Sequence, residues 1–268
     1  MAEDRPRGTG GAQRDKGRRI AARGAADTMP GMRRRAPISA PLLALALSAC
    51  GTTPTADPAA EADYVFVFLE AGERTEVAPG DLQFGMAARA AHVARLADEG
   101  ELLLEGAFAP PRARPTLRAM EIFATDDLAH ALELAEADPA VRSELMKPIA
   151  LPWRGPAALR TIPTLDRELR ATLSPDAPPD ALVRPYVLVT ADDAEAADRA
   201  LEPLRAAGHV AFFGRFGGAR AGQALFALVS RDEKSAAALL EMAGPEAPAW
   251  TLHPWYGPSV LERFARPQ

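Results

Sequence analysis

The 268-residue chain has a single cysteine, Cys50, so no disulfide can close within it. It has only four histidines, and none stands in a metal-ligand spacing such as His-x-x-x-His. No serine nucleophile motif stands out either, and no metal or cofactor is expected. Long apolar runs are missing apart from Ala36 to Leu47, which is too short to cross a bilayer as a permanent helix. Basic charge is scarce where it would matter. The net charge is -5, and the segment before Cys50 holds ten of the 31 Arg and Lys against four acidic residues, so the remainder is more acidic still. An acidic surface gains nothing from counterion release, which argues against nucleic acid as a partner.

What is present begins at the amino terminus. Met32-Arg33-Arg34-Arg35 is followed by the apolar run and then by Leu47-Ser48-Ala49-Cys50. A basic head, a short apolar middle and small residues before a cut site form a secretory signal. Ending on cysteine, it looks like a bacterial lipoprotein signal, which implies a lipid on Cys50. Pro37 and Pro41 argue against a buried helix here. Gly51 is not aspartate, which favours the outer membrane in a two-membrane cell. The expected arrangement is a leader and signal over 1–49 and a tether over 50–62, with the folded part facing the periplasm. Met29 and Met32 are alternative starts.

The rest reads as two α+β segments, 63–154 and 185–268, joined by a linker over 155–184. Tyr64 to Leu69 is apolar and β-branched or aromatic, hence a strand. Phe84 to Glu99 is predicted helical, with Met86, Ala90, Val93 and Ala97 inward and Gly100 as its cap. Strands are predicted from Leu102, from Arg118 to Thr125 and from Lys147 to Trp153. A second helix, Leu128 to Ala137, lies between the last two. This β-α-β-β-α-β order is the ferredoxin-like arrangement. The order returns after residue 185, and the punctuation repeats. Gly100 and Gly106 match Gly208 and Gly214, and Pro152-Trp153 matches Pro254-Trp255. Duplication into two tandem units is therefore expected. Trp153 and Trp255 are expected to pack strand ends.

The segment Ala88-Arg89-Ala90-Ala91-His92-Val93-Ala94-Arg95-Leu96, with the Gly100–Gly106 pair and Ala137-Asp138-Pro139, resembles the YCII-related family. The likeness covers Tyr64 to Trp153 and, more weakly, Tyr186 to Phe264. It implies a dimeric α/β barrel, formed here within a monomer by two tandem units pairing as an internal pseudo-dimer, and it implies His92 and Asp138 as an active-site pair. A carboxylate on one imidazole nitrogen would fix the tautomer while the other takes a proton. Arg89, one turn from His92, could hold an anionic substrate. From the residues alone, His92 is equally a half-buried helix histidine and Asp138 an Asp-Pro turn. The second segment has Ala200 and Gly244 at the matching positions. Two functions therefore stand: a proton-transfer enzyme of isomerase or elimination type, or a non-catalytic small-molecule-binding or interaction module. His130 reads as part of a solvated helix face, His209 and His253 as structural, and Arg112 to Arg118 as a solvated loop.

Overall fold

The computed structural model describes residues 60–74, 76, 78–244 and 247–266. The signal segment, Cys50 and most of the expected tether lie outside the described residues. The chain runs β1 (Glu61–Ala71), α1 (Pro79–Glu99), β2 (Leu102–Phe108), β3 (Leu117–Phe123), α2 (Leu128–Glu136), α3 (Pro139–Arg142) and β4 (Met146–Pro156). It continues through α4 (Ile162–Ala171), β5 (Val183–Ala191), α5 (Ala194–Ala200), α6 (Glu202–Ala206), β6 (Val210–Phe216), β7 (Ala224–Leu228), α7 (Glu233–Leu240) and β8 (Trp250–Pro258).

The eight strands close one antiparallel barrel in the order β1-β3-β2-β8-β5-β7-β6-β4, with β4 pairing back to β1. Alternation along each strand sorts side chains to the two faces. In β1, Tyr64, Phe66 and Phe68 point into the barrel, while Val65, Val67 and Leu69 meet α1 and α2 outside. In β5, Val187 and Val189 likewise meet the outer helices and Leu188 points inward. The interior is therefore one shared aromatic core, and each half of the wall carries its own helical layer.

Two seams join the halves: β2 meets β8 at Ala107–Tyr256 and Phe108–Trp255, and β4 meets β6 at Trp153–Phe216 and Arg154–Arg215. The repeated glycines explain these seams. A Cβ on Gly106 would lie 2.4 Å from the Trp255 indole nitrogen, and one on Gly214 would lie 2.1 Å from the Trp153 ring. Each bare backbone admits the indole of the opposite half. The tryptophans are thus interior residues locking the seams, deeper than the strand-end positions expected. The first glycine of each pair is used differently. Gly100 ends α1 at φ 79°, a left-handed position that a side chain disfavours.

The two ends of the barrel differ. The amino ends of β1 and β5 are plugged. The 3-10 turns Ala157–Thr161 and Ser259–Arg263 insert Leu159, Val260 and Leu261, and Ile162, Leu165 and Leu169 of α4 pack against the same core. Tyr64 and Tyr186 hydroxyls donate to the Pro156 and Pro258 carbonyls at 3.0 Å each. At the carboxyl ends of β1, β2, β5 and β6 the interior is edged instead by Glu70, Arg114, Thr190, Arg220 and His253.

Several boundaries differ from expectation for identifiable reasons. The tether is shorter, because β1 already pairs with β4 from Glu61. The linker holds α4. Helix α1 starts at Pro79, a residue preset for a first turn. Its inward stripe runs through Arg89 and Leu96, while Met86 and Ala90 are exposed. Treating arginine as an outward residue rotated the expected face by about one position. In the second half Pro203 stands in the first turn of α6 and separates it from α5.

Candidate functional site

The densest group of buried charge lies between α1 and the outer face of β2 and β3. Arg89 of α1 is 4% exposed, Glu121 of β3 is 3% and Asp138 before α3 is 1%. Arg89 Nη1 donates to Glu121 Oε1 at 2.8 Å and also to Asp138 Oδ2. Its Nη2 lies 3.5 Å from Glu105 Oε2 on β2, without a hydrogen-bonded partner among the described residues. Register explains the convergence. Glu105 and Glu121 face each other across β2 and β3, so both carboxylates point to the helical layer where Arg89 descends. Asp138 is held from the other side. Its Oδ1 accepts the Ala140 N–H at 2.7 Å and caps α3. Burial lifts the Glu121 carboxyl to about 7, even with Arg89 pulling it down.

His92 is placed differently from the expected pair. Its Nε2 is 3.2 Å from the Leu134 carbonyl of α2, so that nitrogen carries the donated proton, and its Nδ1 faces Arg95 Nη2 at 3.3 Å. No hydrogen bond joins it to Asp138. Both carboxylate oxygens of Asp138 are taken, one by Arg89 and one by the α3 backbone. The structure thus brings Arg89, and not His92, to the Asp138 carboxylate. The physical reason is that a guanidinium buried beside a carboxylate outcompetes an imidazole on the half-exposed rim of the helix. Arg89, the expected anion holder, faces the carboxylates of Glu105, Glu121 and Asp138.

The other half shows what this wall holds without charge. Phe213 and Phe226 pair across β6 and β7 as Glu105 and Glu121 pair across β2 and β3. Their rings stack at 6.4 Å. The same architecture is thus satisfied once by ions and once by aromatics.

A second polar group, which the sequence did not single out, edges the open end of the barrel interior. His253 is 4% exposed; its Nε2 is 3.3 Å from Thr190 Oγ1, and its ring meets Phe108 edge-on at 5.8 Å. Burial pushes its imidazole down to about 4, and Arg114 and Arg220 push the same way, so it is neutral at pH 7. Arg114 pairs with Glu70. Arg220 lies over Phe68 at 5.0 Å and over Phe216 at 5.9 Å. Its position, in a 3-10 turn between β6 and β7, gave no sequence signal. His253 gave one: it stands two residues before Trp255 in a strand whose counterpart has Leu151 before Trp153.

No family model matches the chain, and no curated protein matches it. Among solved structures it is similar to a chlorite dismutase-like protein, at 12% identity and a TM-score of 0.39, covering 76% of this chain and 99% of that one. At that level the likeness decides nothing about chemistry.

Proposed function

We propose that this chain is a YCII-related protein in which two tandem ferredoxin-like units form an internal pseudo-dimer, tethered by a lipid on Cys50 to the periplasm-facing side of the envelope. We further propose that it binds a small molecule and does not transform one. The strand order supports the tandem reading, since each half carries its fourth strand beside its first and its third beside its second. The observation that carries the non-catalytic reading is the capture of Asp138 by Arg89 and the α3 backbone. A His–Asp proton-transfer couple needs the carboxylate to orient the imidazole, and Asp138 is bonded to Arg89 and the α3 backbone instead of to His92. Arg89, Glu121 and Asp138 act instead as a structural lock between α1, β3 and α3.

The test is a turnover screen with small lactones and halogenated acids on wild type and His92→Ala. The expected result is no turnover by wild type and an unchanged fold in the variant. Any turnover lost on His92→Ala would sink the reading. Separately, Cys50→Ser should release the protein from membranes, and retention in the membrane fraction counts against the anchor.

A further inference from the structure

The barrel is closed at one end by apolar plugs and edged at the other by arginine and histidine. At this polar end the interior offers a ligand no room. Between Phe108, Leu117 and His253, beneath Arg112, no space remains for even a water molecule. Whatever the polar end holds must sit at the rim, in the plane of the arginine groups. We propose that this rim is a binding site for a small oxyanion, a carboxylate or phosphate group, held between the guanidinium groups of Arg114 and Arg220 above Phe68, Phe108 and Phe216. The assignment rests on the binding-module reading above and names the chemistry of its ligand.

Charge is the first argument. Arg112, Arg114 and Arg220 gather at this rim. Glu70 pairs with Arg114, while Arg112 donates to the Phe108 carbonyl at 3.1 Å. The exposed Asp192 follows β5, as Glu70 lies near the end of β1. The rim is cationic although acidic residues outnumber basic ones in the chain. The second argument is Arg220 itself. Among the described residues its guanidinium has aromatic contacts and no hydrogen-bond or ion-pair partner. Five N–H donors in a planar fork are left for a ligand. Burial and the neighbouring Arg114 both disfavour its charge, a cost that a bound anion would offset. The third argument is His253. Held neutral, it places a ring nitrogen beside Thr190 without adding repulsion to the cations.

The experiment uses the purified chain with sodium benzoate and inorganic phosphate as separate probes, read by calorimetric titration and thermal unfolding. At about 10 mM, a probe of millimolar affinity should raise the midpoint by about 3–6 °C. Arg220→Ala and Arg114→Ala should each weaken binding by about tenfold or more. Arg220→Lys keeps the charge without the fork and should also bind more weakly; it decides the matter should Arg220→Ala not fold. Arg199→Ala, an exposed arginine on α5, should bind as wild type does. A stronger response to benzoate assigns a carboxylate ligand, and a stronger response to phosphate assigns a phosphoryl one. No response to either probe, equal binding by wild type and Arg220→Lys, or a loss matched by Arg199→Ala would overturn the site. Those outcomes leave the non-catalytic reading standing, just as His92-dependent turnover would remove that reading and leave the rim site intact.

Discussion

Arg89 carries one positive charge among Glu105, Glu121 and Asp138, so the cluster holds more carboxylates than it can neutralise. The most deeply placed glutamate yields. Glu121 titrates near 7 in the folded chain against an ordinary 4.5. A folded value raised in this way gives stability that is fully present below the unfolded value and is lost as pH rises through the folded one. From this group alone the protein should be more stable at pH 5 than at pH 8, by roughly 1–3 kcal/mol. Glu121→Gln should remove that difference, with urea unfolding at the two pH values as the measurement. An unchanged pH dependence in the variant would place the titration elsewhere. The cluster was partly legible. Arg89 and Asp138 stood out through a family pattern, but their partner did not. Glu121 was readable as an acid inside the apolar run Leu117–Phe123, opposite Glu105 inside Leu102–Phe108. What periodicity could not supply was that an arginine would occupy the inward face of α1.

At the scale of elements, the seams rest on close approach between a bare backbone and an indole. Gly106→Ala would put a methyl 2.0 Å from the Tyr256 carbonyl oxygen, which belongs to backbone and cannot swing away. The expected cost is about 1–3 kcal/mol from overpacking, or more if the β2–β8 seam opens, read as a lowered urea midpoint. A control at Gly80, where a Cβ meets nothing within 4 Å, should cost little. The glycine and tryptophan spacing was visible in the sequence as punctuation. Its meaning was not, because the contacts are made between residues 149 and 61 positions apart, Gly106 with Trp255 and Gly214 with Trp153. Helix α4 was the opposite case. Its Ile162, Leu165 and Leu169 stand at helical spacing, and Pro163 suits a first turn. The proline-rich stretch that follows gave the whole segment the look of a linker.

For the whole molecule, the closed barrel makes each half depend on the other for its interior. Phe66 packs on Phe216 at 5.4 Å, and Trp153 meets Phe212 at 6.1 Å, so neither half buries its aromatic face alone. Chemical unfolding should therefore be a single cooperative transition, with tryptophan fluorescence and far-UV circular dichroism coincident. Two separated transitions would mean that the halves are independent domains. A further consequence lies in the unlike walls of the rim. Register places Phe68 and Leu151 on one side where the other side has Thr190 and His253. A ring of identical subunits would present every group twice and let an occupant sit in two equivalent poses. Here a guest meets one histidine and one orientation, so a titration should end at one equivalent per chain.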